Sequence, residues 1–448
     1  MSGTARRQIH IGTLILENGH HIGGWRYPEA ERHGGHDFDF YRRIVETAER
    51  GRFDMVFFAD YLGLRDTLDP DARSRQHNVA YIDPVSLITA LSVVTRHIGL
   101  VTSISTTYSQ PYDVARKIAS IDHLSQGRAG WNLVTSATDA EALNFNRSQQ
   151  VPHHERYQRA GEFVDVVRKL WDTWEDDAFL LDAASGRYYD AGKLHLIEHQ
   201  GEHYQVKGPL NVARSPQGHP VVFQAGASED GQRLAAQTAE AVYTAAQTKE
   251  AAQAYYRSLK AKVAEAGRDP ASLLILPGIV PFIGRTEEEA LEKQARIRQA
   301  VHPSIGVGLL SVMIGHDLRP YDVDGPLPDI PQTEGHRSRQ QLLIDLARRE
   351  RLSIRQLYER SSAFGHREVA GTAEQIADVL QDLFEDGAAD GFNILPPYLP
   401  GGLEDFVDQV VPILQSRGLF RRDYEGSTLR EHLGLARPPN RFSASAAS

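Results

Sequence analysis

The chain has 448 residues, 49 Lys and Arg against 59 Asp and Glu, a net charge of −10 and no cysteine. The absence of cysteine excludes a disulfide scaffold, a thiolate metal site and a cysteine nucleophile. The acidic balance argues against nucleic acid or an anionic membrane as the main partner. No window approaches ~18 uncharged apolar residues and no signal-like segment follows Met1, so we expect a cytoplasmic protein without a membrane span.

Short apolar segments rich in β-branched residues recur along the chain and predict strands. They are Ile9–Leu16, Met55–Ala59, Ile98–Ser105, Ala129–Val134, Val221–Gln224, Ala241–Thr244, Ile275–Phe282 and Phe392–Leu395. Continuous apolar strands are typical of parallel sheets buried on both faces. Their alternation with helices predicts a (β/α)8 barrel, although an open doubly wound sheet has the same pattern.

Amphipathic patterns between the strands predict the helices. Apolar residues spaced for one helix face begin at Phe38, and Gly51 is the expected C-cap. A second apolar stripe runs from Tyr157 to Trp174. Thr372 and Gln375 have the spacing of a capping box at the start of a third helix.

Three stretches, 61–82, 136–219 and 301–368, exceed what a minimal barrel needs. The first is polar and loop-like, and the second contains one predicted helix and a hairpin near Tyr204–Val206. The third has a helical middle from about Arg337 to Glu359. Insertions with their own structure are often active-site walls or lids. We therefore predict a single barrel domain over residues 1–435, with long insertions after strands 4 and 7, and a disordered tail over 436–448.

Active sites of such barrels lie at the carboxyl ends of the strands. The second strand leads to Asp60, the third to Thr106, and Asn132 lies in the fourth. After the fifth strand, Gly226 and Ser228 begin a helix whose free N–H groups and dipole are suited to a phosphate. Serine at that position is also a common N-cap, and barrel phosphate sites usually follow strands seven and eight.

Other polar residues have weaker signals. Asp60 can cap a turn or contact a ligand, and His153 begins a helix where it can face solvent or a ligand. His195, His199 and His203 recur every four residues. Their polar surroundings are typical of an exposed hairpin, so we expect no metal site. The dinucleotide-binding, P-loop and α/β-hydrolase glycine motifs are missing.

Several segments, in this order, resemble one enzyme family. They are Phe57–Asp60, Ser105–Thr107 with Pro111–Arg116, Asp122–Arg128 with Gly130–Thr135, Pro152–Tyr157, Gln224–Ser228 and Asp390–Asn393. From about residue 8 to about residue 435, the chain resembles the nitrilotriacetate, EDTA and dibenzothiophene-sulfone monooxygenase branch of the bacterial-luciferase-like flavin enzymes.

The resemblance implies a TIM barrel that takes reduced FMN from a separate NAD(P)H-dependent flavin reductase and uses O2 to oxygenate a small organic substrate. Cleavage of a C–S or C–N bond is the expected outcome. The implied flavin contacts are Asp60, Thr106, Asn132, His153, Tyr157 and, for the phosphate, Ser228. His154 stands where relatives more often have Asp, which leaves the choice between His153 and His154 open. The implied catalytic residues are His316, His21 and His20, and the expected substrate walls are Phe58, Tyr61 and Trp131.

Two other functions remain open on the sequence: a deazaflavin-dependent oxidoreductase and a flavin-binding protein without catalysis. Retention of His21 and His316 argues against the second. A homodimer or homotetramer is expected from the resemblance. A pocket for aminopolycarboxylates should present several Arg or Lys side chains, whereas one for aromatic sulfones should be lined by Phe, Trp and Leu.

Overall fold

The computed structural model describes residues 7–32, 34–64, 70–226, 228–332 and 337–444. The barrel strands are β1 (His10–Leu14), β2 (Met55–Phe58), β3 (Gly99–Ser105), β4 (Ala129–Val134), β5 (Val221–Ala225), β6 (Ala241–Thr244), β7 (Leu274–Ile283) and β8 (Gly391–Ile394). Each strand pairs in parallel with the next, and β8 pairs with β1. The sheet is therefore closed, which confirms the TIM barrel and excludes the open sheet.

Helices connect the strands on the outside of the barrel. They are Phe38–Arg50 after β1, Pro84–Ser92 after β2, Pro111–Leu124 after β3, His153–Trp171 after β4, Glu229–Thr238 after β5, Lys249–Glu265 after β6, and Ala373–Glu385 before β8. After β8 come Gly401–Asp405, a π-helical turn Phe406–Val410 and Val411–Ser416. Short 3-10 turns are Gly24–Arg26, Gly34–His36, Ala191–Lys193 and Pro270–Ser272.

The barrel interior is apolar and closed at its amino-terminal end. Phe57 and Tyr243 stack inside it with ring centroids 4.6 Å apart. The short helix Leu429–His432 contributes Leu429 to the same cluster, next to Gly99, the first residue of β3. Because Gly99 begins its strand, this helix covers the bottom of the barrel. The carboxyl ends of the strands remain available for a site.

Two local predictions can be compared with the geometry. Thr372 and Gln375 form the predicted capping box, in which each side chain bonds the other's backbone N–H. Gly51 ends its helix as predicted, but with φ −72°, and the next residue, Arg52, takes the left-handed conformation at φ 61°. Glycine is required at 51 for close packing, because a Cβ there would lie 2.8 Å from Val407.

The segment 136–219 has more structure than expected. An additional helix, Asp139–Asn144, and a hairpin of Phe179–Asp182 with Arg187–Tyr189 were not predicted. Both strands of that hairpin are exposed, so they lack the apolar alternation that reveals a half-buried strand. The hairpin of His199–Gln200 with Gln205–Val206 lies where one was expected.

The predicted helical middle of the third insertion is two helices, Arg337–Glu350 and Ile354–Ser361. Arg351 adopts a left-handed φ of 53°, and Ser353 starts the second helix with a capping box to Gln356. The break between the two helices is caused by the left-handed Arg351 and the Ser353 cap, neither of which changes the spacing of apolar residues.

Further elements complete the insertions. Helices Glu287–Gln299 and Pro303–Ile314 follow β7, and the strand Arg367–Gly371 pairs in parallel with the end of β7. In 61–82, expected as a loop, Pro70–Ser74 is a short helix that buries Ala72 against the apolar cluster of the third insertion. Residues 65–69 lie outside the described residues.

The carboxyl-terminal segment corrects one expectation. Residues 436–444, predicted as part of a disordered tail, pack on the barrel and include the short helix Arg441–Ala444. The buried Asn440 side chain donates hydrogen bonds to the carbonyls of Asp172 and Trp174, each at 2.9 Å. Phe442 stacks on His195 with ring centroids 4.3 Å apart. The order comes from residues distant in sequence; residues 445–448 lie outside the described part of the chain.

Within the described ranges, no single helix has both the length and the apolar character to cross a membrane. Glu287–Gln299 and Pro303–Ile314, bent by 88°, meet that criterion only as a pair.

Candidate active site

A cavity of about 780 Å³ lies at the carboxyl ends of β1 and β2. Its walls come from residues that follow these strands, from segment 76–84 and from the third insertion. Four of the predicted site residues line it: His20, Phe58, Asp60 and Tyr61. The position agrees with the end of the barrel where sites form in this fold.

Asp60 is half-buried in the wall of this cavity. Burial, followed by repulsion from Asp83, raises the pKa of its carboxyl group to about 6. Asp60 therefore changes charge close to neutral pH, so it can hold or release a proton there.

Tyr61 links the ends of β2 and β4 through its backbone and its hydroxyl. Its backbone N–H donates to the Tyr81 hydroxyl at 3.0 Å, and that hydroxyl donates to the Tyr61 carbonyl at 3.1 Å. The Tyr61 hydroxyl lies 2.9 Å from the Thr138 hydroxyl. Glu141 accepts hydrogen bonds from the hydroxyls of Ser136 and Thr138, each at 2.9 Å, and holds Ser136 in a left-handed φ of 49°. Glu141 was not identified from the sequence.

The two adjacent histidines after β1 occupy different environments. His20 lines the cavity, and its ring lies 5.3 Å from Phe364 and 5.2 Å from His366. Burial, and then the Arg339 cation, lower the pKa of His20 to about 3. His21 is fully buried and does not line the cavity; its Nδ1 accepts a hydrogen bond from the Gly23 N–H at 3.0 Å. Burial lowers the pKa of His21 to about 3, so both rings are neutral at physiological pH.

Thr106 and Asn132 lie at the neighbouring ends of β3 and β4 and are both buried. The Thr106 hydroxyl donates to the Val134 carbonyl at 3.2 Å. The Asn132 amide donates to the Ser103 hydroxyl at 2.8 Å, while its Oδ1 has no partner among the described residues. A buried oxygen without a donor is costly, so this atom is an unused acceptor. Neither Thr106 nor Asn132 lines either of the two cavities.

Trp131 is placed in the core and not in the wall of either cavity described here. Its indole N–H donates to the Ile104 carbonyl at 3.3 Å, and its ring lies 5.8 Å from Phe163 of the outer helix. Side chains alternate along a strand, so Trp131 faces outward where Asn132 faces inward. Phe58, in contrast, lines the cavity as expected for a wall residue.

A second cavity, of about 590 Å³, lies at the end of β5. Ser228 lines it and caps the helix Glu229–Thr238, with its hydroxyl oxygen accepting the Gly231 N–H at 3.2 Å. Gly226 has a φ of 139°, which side-chain-bearing residues rarely adopt. A Cβ on Gly231 would lie 3.0 Å from the Ser228 hydroxyl and 3.4 Å from the Tyr157 hydroxyl, so the two hydroxyls are neighbours.

The helix His153–Trp171 brings His153 to this cavity and places Tyr157 next to Ser228, although Tyr157 itself does not line the cavity. His153 lines it, lies with its ring 4.9 Å from Tyr157, and has Nδ1 3.2 Å from a carboxylate oxygen of Asp230. The His153 side chain is 10% exposed and that of His154 is 66% exposed. His153, Tyr157 and Ser228 are therefore brought together, and of the two histidines His153 faces the cavity.

His316 lies apart from both cavities, just after the helix Pro303–Ile314. Its ring is 3.2 Å from the Tyr321 hydroxyl, and it is half-exposed. Its neighbours Met313 and Gly315 line the first cavity, but His316 itself does not.

Sequence reasoning missed several polar residues in the first cavity, among them Glu17, Arg339 and His366. Glu17 is buried, and burial raises the pKa of its carboxyl group to about 8. A glutamate directly after an apolar strand was a usable signal. Arg339 and His366 had no local signal, because the third insertion returns to the barrel only in three dimensions.

His195 and His199 bind separate carboxylates, and His203 donates, within the described ranges, only its backbone N–H, to Glu162 at 2.9 Å. His195 lies 2.8 Å from Glu175, and His199 lies 3.0 Å from Glu162. Within the part of the chain that the structure describes, no three His, Asp or Glu side chains are grouped to hold a metal ion.

Comparison with known proteins identifies relatives along nearly the whole chain. The family described as luciferase-like monooxygenase matches residues 20–390. Nitrilotriacetate monooxygenase component A of Aminobacter aminovorans is 52% identical over 445 residues, covering 97% of this chain and 98% of that protein. N-acetyl-S-(2-succino)cysteine monooxygenase of Bacillus subtilis is 47% identical over 441 residues, covering 98% and 99%.

Solved structures agree with these relatives. A crystal structure of riboflavin lyase with modified FMN and riboflavin has a TM-score of 0.86 and 33% identity, covering 96% of this chain and 97% of that one. The chain therefore belongs to the luciferase-like monooxygenase family and is a flavin-dependent monooxygenase.

Proposed function

We propose that this chain is the oxygenating component of a two-component system. It takes reduced FMN from a separate NAD(P)H-dependent flavin reductase and uses O2 to oxygenate a small organic substrate, with cleavage of a C–S or C–N bond. The observation that carries the proposal is the cluster of two hydroxyls and an imidazole, from Ser228, Tyr157 and His153, at the carboxyl end of β5. The larger cavity at the carboxyl ends of β1 and β2 adds the ionisable side chains of Asp60 and His20. The relative named component A and the two named monooxygenase activities support it.

The residues present fit FMN at both of its polar ends. The Ser228 hydroxyl and the amino terminus of the helix Glu229–Thr238 offer donors to a phosphate, and the Tyr157 hydroxyl lies beside them. Glycine at 226 leaves the backbone open to close approach, since a Cβ there would meet, among the described residues, only the Tyr157 hydroxyl, at 3.7 Å. The unpartnered Asn132 Oδ1 would accept a ring N–H.

Reduced FMN, when bound, supplies the electrons with which O2 is activated. Phe58, Met313 and Phe364 line the first cavity and exclude water from it. The Asp60 carboxyl group, with a pKa of about 6, exchanges a proton near neutral pH. His20 remains neutral and offers one N–H donor and one acceptor to a substrate.

We propose a homodimer or homotetramer in the cytoplasm as the assembly. Apolar side chains exposed on the hairpin of the second insertion support self-association, notably Leu181 at 62% and Tyr188 at 66% exposure. The named activities of the relatives favour an oxygenase over a deazaflavin-dependent oxidoreductase or a flavin-binding protein without catalysis.

The proposed function is tested by turnover with a general flavin reductase, FMN, NADH and 18O2. The substrate panel contains amines, aminopolycarboxylates and organosulfur compounds. We expect mass spectrometry to find one 18O atom in the product of at least one panel member, and none when the reductase is left out. Release of hydrogen peroxide alone, across the whole panel, would reject the proposal.

Replacing Ser228 by alanine is expected to weaken binding of reduced FMN by about 10- to 100-fold. A hydrogen bond to a charged group contributes about 1.5–3 kcal/mol, and the variant loses it. The measurement is an anaerobic titration of the full chain with reduced FMN.

A matched control removes an N-cap that lies outside both cavities. Thr286 caps the helix Glu287–Gln299 by accepting the Glu289 N–H at 3.2 Å. Ser228→Ala and Thr286→Ala should each lose about 1 kcal/mol of stability. If both variants bind reduced FMN as the parent does, Ser228 does not hold the phosphate.

A further inference from the structure

The strongest unexplained feature of the first cavity is the Arg339 guanidinium. Arg339 lies in the first turn of the helix Arg337–Glu350 of the third insertion and lines the cavity. It donates one hydrogen bond, to the Phe364 carbonyl, and no carboxylate among the described residues pairs with it. Burial lowers its pKa to about 10, so it is a cation at neutral pH. Arg339 is half-buried, and charges withdrawn from water are normally paired, but within the described residues this cation has no carboxylate counter-ion.

Two neutral imidazoles surround the same cation. The rings of His20 and His366 lie 5.2 Å apart, and Arg339 lowers the pKa of both, after burial. Within the described residues neither nitrogen of the buried His20 ring makes a hydrogen bond of good geometry, and the backbone of Ala363 lies close enough to raise its pKa slightly. A neutral imidazole carries one N–H and one acceptor nitrogen, so at least one of the two remains for a ligand beside the guanidinium.

The rest of the cavity wall is mostly apolar, with neutral polar groups such as Gln76 and Asn144 and a few carboxyl groups. Aliphatic and aromatic side chains such as Leu14, Phe58 and Val312 form much of it. Arg339 is the one lysine or arginine in the described lining, which also contains the carboxyl groups of Glu17, Asp60 and Asp83. A second or third anionic group on a ligand would find no further lysine or arginine among the described lining residues.

We propose that this cavity binds a substrate with a single carboxylate on an apolar body, and that Arg339 and His20 hold the carboxylate. The inference rests on the proposed function and names the substrate class of the same site. Arg339 matches the two carboxylate oxygens with parallel N–H donors, and the His20 N–H adds a third. The apolar wall receives the remainder of the molecule.

The test compares two probes of the same shape, 1-naphthoate and its neutral amide 1-naphthamide, by isothermal titration of the full chain. We expect the parent to bind 1-naphthoate at least tenfold more tightly than 1-naphthamide, and more tightly than nitrilotriacetate. Arg339→Met should abolish the preference for the carboxylate, and Arg339→Lys should keep part of it. Arg348→Met is the matched control, because Arg348 lies on the same helix but is exposed beside Asp329.

Several results would overturn the inference. They are no measurable binding of 1-naphthoate, equal binding of the two probes by the parent, a preference that survives in Arg339→Met, or tighter binding of nitrilotriacetate. If Arg339→Lys keeps part of the preference for the carboxylate, the loss in Arg339→Met comes from the missing positive charge and not from misfolding. Binding needs no turnover, so these results are distinguishable from failure of the proposed function. A chain that prefers the carboxylate but forms no oxygenated product contradicts the monooxygenase assignment alone.

Discussion

Replacing Trp131 by alanine is expected to lower the free energy of unfolding by about 3–5 kcal/mol. The side chain is fully buried, packs on Phe163 and donates its indole N–H to the Ile104 carbonyl at 3.3 Å. The substitution leaves a cavity between β4 and the outer helix, and it leaves that carbonyl without its donor. Urea denaturation of parent and variant measures the difference.

Two further variants separate packing from substrate contact. Trp131→Phe keeps most of the apolar volume and should lose about 1–3 kcal/mol, the cost of an unsatisfied buried polar group. Phe145, which is exposed at 39% and stacks on Tyr108, is the control: Phe145→Ala should lose less than about 1 kcal/mol. If Trp131→Ala has an unchanged unfolding midpoint and a raised KM for substrate, Trp131 contacts the substrate and does not stabilise the core.

The barrel was predictable because each of its strands is a local apolar pattern. β4, Ala129–Val134, has the predicted bounds. β7, Leu274–Ile283, is longer than predicted at both ends, and its carboxyl half pairs with Arg367–Gly371 of the third insertion. Such a partner leaves no periodic signal in either segment, because the pairing is between residues far apart in sequence.

The site residues that could be predicted are those whose role depends only on their position in a local element. Ser228 is the N-cap of its helix, and both this role and its proposed contact with a phosphate follow from its position before the helix. Trp131 and Asn132 were both assigned to the site, although consecutive strand residues face opposite sides of a sheet. The structure turns Asn132 inward. Arg339 comes from an insertion whose approach to Glu17 and His20 depends on tertiary packing.

The free energy of unfolding of the parent is expected to fall as pH rises, and replacing Glu17 by glutamine is expected to abolish the part of this fall that comes from Glu17. Burial raises the pKa of Glu17 from 4.5 to about 8 in the folded chain. Between these values the unfolded chain has released the proton and the folded chain retains it, so folding takes up a proton. The parent should therefore lose about 1.4 kcal/mol of unfolding free energy per pH unit in this window, relative to the variant.

The sign and limits of this effect make it a sharp test. Below pH 4.5 the carboxyl group is protonated in both states, and above about pH 8 it is ionised in both, so the difference between parent and variant should be constant outside the window. The free energy of unfolding of the variant minus that of the parent should be about 3 kcal/mol larger at pH 8 than at pH 5. Glu265→Gln, at an exposed helix end, should follow the parent at every pH. A difference that does not change between pH 5 and pH 8 would mean that Glu17 is ionised in the folded chain, and the cavity would then carry a further negative charge opposite Arg339.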